Sequence, residues 1–360
     1  MTGLHDSIRI GSLLLPNRLV MAPLTRCRAG EEGIPNALMA EYYRQRSGAG
    51  LIISEGTNIS PQAKGYPGTP GIWNPEQVKA WKIVTDAVHS AGGRIFIQLW
   101  HTGRLSHPDL LPPGMHPVAP SAIAGEGAVR ATGNRHPFPV PRAMSTEEVE
   151  ATVQDYLHAG SMALQAGFDG VELHAANGYL PEQFLNDGTN QRTDKYGGPA
   201  TNRYRFILEI LQGLLNIWGE DSVGIRLSPS GVRFGTFDSD PVQTYGGLVR
   251  KLNELPLAYL HLVEPLTEIP ENYLAQVLPH FRKIYQGRII TAGGYDATLA
   301  AEVIHQGEAE MVAFGRLFIS NPDLPERIRI REYLNEPDQR TFYTGEEKGY
   351  TDYPFLQSNC

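Results

Sequence analysis

Cysteine is nearly missing from this chain: Cys27 and Cys360 are the only two in 360 residues. With one of them at the last position, neither a disulfide framework nor a paired-thiolate metal site can be assembled within the chain. That usage fits a reducing compartment, and we expect a cytoplasmic protein. Long apolar runs are missing as well. Nowhere do about 18 uninterrupted apolar residues occur, and the opening stretch MTGLHDSIRIGSLLLPNR has no basic segment leading into a long apolar one. No membrane segment is expected. Positive charge is scarce, with 31 Lys and Arg against 39 Asp and Glu and a net charge of −8. Such a balance argues against a nucleic-acid partner while leaving room for a local basic pocket that takes a small anion. A glycine-rich GxGxxG turn after the first strand is also absent, which disfavours a doubly wound dinucleotide-binding sheet.

What is present is an ordinary globular composition, 41% hydrophobic and 19% charged, enough apolar material for a sizeable core. The length exceeds a prior of about 150 residues per domain, yet α/β barrels routinely do so as one unit, and residues 1–360 are read as a single domain. Short apolar, β-branched runs recur at 18–24, 50–56, 94–100, 170–174, 223–227, 258–263, 288–292 and 311–314. Between them lie stretches with helical spacing at 75–90, 145–166, 202–218, 241–255, 272–285 and 297–306. Ser145 ahead of Glu147 and Glu148 approximates a capping box, while Gly92 and Gly219 follow helical runs as stop residues. Eight strand runs alternating with helical stretches predict a (β/α)8 barrel. Two long segments rich in Pro, Gly and Asn, 101–143 and 177–199, interrupt the period after strands three and four, and segments of this size are expected to act as lids.

In a parallel barrel, chemistry is done at the carboxyl ends of the strands. There the sequence offers Pro23, Leu24 and Thr25; Glu55 and Gly56; Gln98 and Trp100; His174, Asn177 and Tyr179; Arg226; and Gly293, Gly294, Gly315 and Arg316. His174 and Asn177 are hydrogen-bond donors suited to clamp a carbonyl, with the Tyr179 phenol beside them as a proton donor. A turn with incidental polar residues is the plainer reading of that stretch. Glycines after the last two strands, with Arg316 beside one, suit close approach of backbone N–H groups to a phosphate. A tight turn at Gly293 and Gly294 is the alternative.

The chain resembles the Old Yellow Enzyme family of FMN-dependent ene-reductases over essentially its full length. The resemblance rests on ordered motifs: APLTR (22–26), EYYRQR (41–46), ISEGTNIS (53–60), QLWHTGR (98–104), HAANGYL (174–180), NQRTDKYGG (190–198), GIRLSP (224–229), AGGY (292–295), FGR (314–316), TFY (341–343) and GYTDYP (349–354). It implies tightly bound, non-covalent FMN and NADPH as reductant, with NADH possible. Thr25 would then face the flavin C4 carbonyl, Gln98 the pyrimidine edge, and Arg226 the N1 and C2 region, where reduction puts negative charge. Main-chain groups of Pro23 and Gly56, together with Leu24, would line the ring; Gly293, Gly294, Gly315 and Arg316 would hold the phosphate. His174 and Asn177 would polarise the carbonyl of an activated alkene, so that its β-carbon accepts hydride from flavin N5 and Tyr179 protonates the α-carbon. Tyr66, Trp100, Phe342 and Tyr343 would wall the substrate pocket.

One branch of the family carries Cys where Thr25 stands, and Cys27 is not read as that residue. Competing classes remain: a metal hydrolase built on His101, His107 and His174, and a flavin-storage protein that would need no clamp. No metal is expected, and the partners are small activated alkenes for a chain that is monomeric or homodimeric.

Overall fold

The computed structural model describes residues 3–357; Cys360 lies outside the described residues. Eight parallel strands close into a barrel: β1 (Leu19–Met21), β2 (Leu51–Asn58), β3 (Ile95–Trp100), β4 (Gly170–Ala175), β5 (Val223–Leu227), β6 (Tyr259–Val263), β7 (Ile289–Ala292) and β8 (Met311–Phe314), with β8 pairing back to β1. Every strand falls within or beside an apolar run expected from the sequence. The runs read as continuous apolar stretches because both strand faces are buried.

The pleat sorts those residues into two cores. Leu19, Ile52, Ile97, Leu173, Ile225, Leu260, Ile289 and Val312 face outward into the layer under the helices. Val20, Ile53, Phe96, Tyr259, Ile290 and Met311 face inward, joined by Ile10 and Leu15 from an antiparallel hairpin, Ile8–Ile10 with Leu13–Leu15, that plugs the amino end. A side-chain period of two separates the sets.

Around the barrel run α1 (Ala37–Gln45), α2 (Pro75–Ser90), α3 (Thr146–Gln165), α4 (Arg205–Trp218), α5 (Pro241–Leu252), α6 (Leu278–Arg282), α7 (Ala297–His305) and α8 (Arg316–Ser320). The capping box at Ser145 and Glu148 is formed in both directions, and Gly219 ends α4 at φ +80°. The helix expected over 202–218 is preceded by a short helix, Ala200–Arg203, that abuts α4 through Tyr204. The run expected over 272–285 shrinks to α6, because Pro279 has no N–H to give and sits only in a first turn.

The segment after β3 forms a second hairpin, Ala128–Ala131 with Asn134–Pro137, turned by Thr132 at φ +48° and Gly133 at φ +82°. Two consecutive positive φ values match the twist of a tight hairpin. After β4 the chain makes the short helix Leu180–Leu185. A carboxy-terminal strap returns over the barrel mouth, held by Arg26 on the carbonyls of Phe342 (3.0 Å) and Gly349 (2.7 Å) and by Arg28 on Phe342 (3.1 Å).

Candidate active site

Towards the carboxyl end the inward residues turn polar. Gln98, Glu172, His174, Arg226 and His261 lie on β3 to β6, with His174 opposite Arg226 and Arg226 opposite His261 in register. Glu172 accepts from Gln98 Nε2 at 2.7 Å and pairs with His261 Nδ1 at 2.8 Å. Burial pulls the His261 pKa down, so the neutral ring donates through Nδ1 and leaves Nε2 with no partner. Glu172 therefore has both oxygens engaged and is not in ion-pair contact with Arg226. Arg226 Nε is buried and unpartnered, an arrangement that costs stability unless something else satisfies it.

Neither Glu172 nor His261 was singled out from the sequence. Their signal is the pleat: Glu172 and His174, two apart on β4, share the inward face, as do Tyr259 and His261 on β6.

Above this layer sits an aromatic cluster. Tyr66 stacks on Trp100 with ring centres 5.5 Å apart; Tyr179 meets Trp100 edge-on at 4.9 Å and His174 at 5.0 Å. The Tyr66 and Tyr179 hydroxyls lie 3.3 Å apart. Burial, reinforced by Arg226 and His261, holds the His174 pKa well below its usual value, and His174 Nδ1 has no partner. Burial and the neighbouring Tyr66 push the Tyr179 phenol well above the ordinary tyrosine value.

Tyr179 is not on the strand. Strand β4 ends at Ala175, and Tyr179 is the residue that opens the short helix Leu180–Leu185. Between them the chain turns at Asn177 (φ +60°) and Gly178 (φ +84°). The Asn177 amide donates to Ser228 Oγ (2.7 Å), Ser228 donates to Glu182 Oε1 (2.6 Å), Tyr245 donates to the same oxygen (2.6 Å), and the Gly178 amide donates to Glu182 Oε2. A Cβ at Gly178 would come within 3.1 Å of the Arg233 carbonyl. The turn is thus tied through Glu182 to the end of β5 and to α5.

Pro23, Leu24 and Thr25 follow β1 half-buried at the mouth. Gly56 lies inside β2, where a Cβ would sit 2.6 Å from the Trp100 ring; the glycine is what lets Trp100 lie against the strand. Phe342 and Tyr343 come from the strap, and Tyr343 is 62% exposed. Gly293 (φ +128°) and Gly294 (φ +76°) follow β7, and a Cβ at Gly293 would meet Glu264 at 2.8 Å. Gly315 opens α8 against Leu24, and Arg316 is exposed. The expected site residues thus converge on one end of the barrel. The three histidines considered for a metal are not brought together: His101 is buried with Nδ1 accepting from Gly103, and His107 stacks on His136.

Glu55, within β2, accepts from the amides of Arg26 (3.0 Å) and Cys27 (3.3 Å), while Oε1 has no partner. Burial pushes its pKa up to about 7, and burial with the Glu55 charge pushes the Cys27 thiol up to about 12. At φ +59° Cys27 has left the strand conformation, and a thiol so protonated is no nucleophile near neutrality. Because the folded Glu55 binds its proton more tightly than the unfolded chain does, its contribution to stability falls as pH rises from about 4.5 to about 7. Glu55→Gln abolishes that term. The stability of the variant relative to the parent is therefore expected to improve across that window by on the order of 3 kcal/mol. Paired denaturant titrations at pH 5 and pH 8 check it; an unchanged difference between the proteins contradicts the assignment.

A profile of the NADH:flavin oxidoreductase / NADH oxidase family matches residues 3–335. The chain belongs to it, as a member of the Old Yellow Enzyme group. Among curated relatives, 12-oxophytodienoate reductase 1 of Oryza sativa subsp. japonica is 44% identical over 354 residues, 97% of this chain and 92% of the relative. Flavin oxidoreductase hxnT of Emericella nidulans is 42% identical and covers 98% of each chain. Among solved structures, morphinone reductase in complex with tetrahydroNAD superposes with a TM-score of 0.94 at 49% identity, covering 99% of each chain. The old yellow enzyme homologue from Zymomonas mobilis gives 0.94 at 41% identity over 99% of this chain and 100% of its own. This member of the family is accordingly a flavin-dependent oxidoreductase on a (β/α)8 barrel.

Proposed function

We propose that this Old Yellow Enzyme family member is an NADPH-dependent ene-reductase, acting on α,β-unsaturated carbonyl compounds and nitroalkenes by a ping-pong sequence. The observation that carries the reading is the buried, unpartnered donor set at the barrel mouth, Arg226 Nε and His174 Nδ1, beside the Tyr66 and Tyr179 phenols. Those orphans fit FMN and an electron-poor alkene better than they fit an apolar ligand. When bound, FMN supplies the two-electron carrier between reduced nicotinamide, NADPH or NADH, and the alkene. Arg226, close to Glu172 but not in ion-pair contact with it, offers fixed positive charge without reorganisation. Gln98 is held by Glu172 through its Nε2, which leaves its Oε1 to accept. Thr25, Pro23, Leu24 and Gly56 face the same mouth, and Gly293, Gly294, Gly315 and Arg316 form the phosphate end.

His174, neutral because it is buried, and Asn177, fixed by its main chain, donate to the substrate carbonyl or nitro oxygen and draw electrons from the double bond. Tyr179 then gives its proton to the α-carbon. Trp100, Tyr66, Phe342 and Tyr343 enclose the substrate and exclude water. In this reading the chain works as a single cytoplasmic domain, alone or as a homodimer. No helix among the described residues is long and apolar enough to cross a membrane.

Purified protein should be yellow and release FMN on denaturation. Anaerobic NADPH should bleach it and cyclohex-2-enone restore the colour; folded protein that stays colourless with added FMN refutes the proposal. A narrower expectation concerns Glu172. Glu172→Gln removes a buried negative charge close to Arg226 and should raise the flavin midpoint potential by on the order of 20–50 mV, since the added electrons meet less repulsion. A dye-coupled titration reads it, and a lowered potential would contradict the placement.

A further inference from the structure

The loop between β5 and α5 carries Arg233, a residue with no place in the reaction just described. Its carbonyl lies over Gly178, within 3.1 Å of where a Cβ would project, and so between Asn177 and Tyr179. The loop is fixed on both sides of this point. The Phe234 carbonyl accepts from the Glu126 amide at 2.9 Å and from Arg104 Nη2 at 3.1 Å, and the Phe234 ring meets Phe138 edge-on at 5.8 Å in the satellite core that also packs Tyr179. Thr236 closes the turn on the Arg233 carbonyl at 3.0 Å, and beyond it Asp238 forms a buried ion pair with Arg203 at 2.7 Å. On this rigid support the Arg233 side chain is exposed and, among the described residues, has no hydrogen-bond or ion-pair partner. Its charge reaches the groups around the clamp: against the dominant effect of burial, which pushes both phenols up, it favours the ionised forms of Tyr66 and Tyr179, and it adds to burial in disfavouring the charged form of Arg226. Glu126, whose side chain crowds Gly235, exerts its charge on Arg104.

We propose that Arg233 is an anion subsite at the rim of the active site, selecting ligands that carry a carboxylate or phosphate beyond the group held by His174 and Asn177. The inference rests on the clamp reading above. A guanidinium suits both oxyanions through paired N–H donors. A solvent-exposed pair gains little from Coulomb attraction, so discrimination of about fivefold at low salt is the expected scale.

The test uses FMN-loaded wild type, Arg233→Gln and Arg233→Lys, titrated with 4-hydroxybenzoate and with its uncharged methyl ester while the flavin absorbance is followed. In wild type the preference for the anion should exceed that of Arg233→Gln by about fivefold, shrink in high salt, and be partly kept by Arg233→Lys. A second arm compares reduction by NADPH with reduction by 1-benzyl-1,4-dihydronicotinamide, which has no phosphate. A higher Kd for NADPH alone in Arg233→Gln assigns the anion to the hydride donor, whereas a change confined to the phenol pair assigns it to the substrate. Anion preferences identical in wild type and Arg233→Gln in both arms overturn the proposal. Wild type that binds neither phenol refutes the clamp itself, a separate signature from loss of charge selectivity.

Discussion

Tyr179→Phe is expected to slow alkene reduction by about 10²-fold or more, the usual worth of a positioned general acid, while flavin reduction by NADPH stays near the parent rate. The substitution deletes one oxygen and little else. The ring keeps its edge contacts with Trp100 and His174 and its place beside Leu105, Val129 and Phe138, so the pocket retains its shape. What disappears is the proton. Burial holds the Tyr179 phenol protonated well beyond its ordinary range, which predicts an alkene half-reaction that is flat in pH from neutrality to pH 9. The neighbouring Tyr66 hydroxyl, 3.3 Å away, is the nearest substitute donor, so the Tyr66→Phe, Tyr179→Phe double variant should fall further than the single one. Stopped-flow measurement of each half-reaction decides the matter. Equal losses in both halves would mean that Tyr179 shapes the site without delivering the proton.

The barrel was legible because its strands announce themselves twice, as apolar runs and as pleated alternations. The residues that the sequence left unread lie where those two signals conflict. Glu172 and His261 sit inside apolar strands, and in sequence they look like interruptions of an otherwise buried run. Gln98 and Glu172 are register partners on neighbouring strands, but His261 lies two strands from Glu172, and only the curvature of the barrel brings it across β5. Glu182 was hidden for another reason. Its partners Ser228 and Tyr245 are 46 and 63 residues away, and no local spacing encodes such a bond. The clamp was readable because His174, Asn177 and Tyr179 are consecutive enough to be carried by one turn. Its rigidity was not readable, since that comes from Glu182. The hairpin 128–137 escaped notice because its outer faces are polar and Thr132 is an unusual residue for a turn position at φ +48°. Arg233 escaped for the same kind of reason: within its own loop it is one more exposed arginine, and only the turn at Gly178 gives it a neighbour.

Replacing both His174 and Asn177 by Ala is expected to weaken the binding of phenols to the oxidised protein by about 10²-fold, since two hydrogen bonds to one oxygen contribute roughly 2–3 kcal/mol together. Neither side chain is spent on the protein: His174 Nδ1 is buried without a partner, and among the described residues Asn177 is anchored through its main-chain amide rather than its side chain. His174 is neutral because burial, Arg226 and His261 all disfavour its charged form, so it offers one ring N–H. His174 itself should therefore add no pH dependence to charge-transfer titrations between pH 6 and 8, where an ordinary histidine would titrate, whereas Glu55 and the Glu182 that anchors the turn are both pushed up to about 7 by burial and titrate there. The two single variants complete a cycle. A coupling between them is expected, because both donors meet at the same oxygen and the loss of one lets the ligand shift away from the other. Retention of FMN in all three variants separates a lost clamp from a lost site, since Gln98, Arg226 and the glycines after β7 and β8 are untouched. Titrations indistinguishable from wild type in the double variant would show that ligands enter this mouth without using the clamp, leaving the unpartnered nitrogen of His174 without a role.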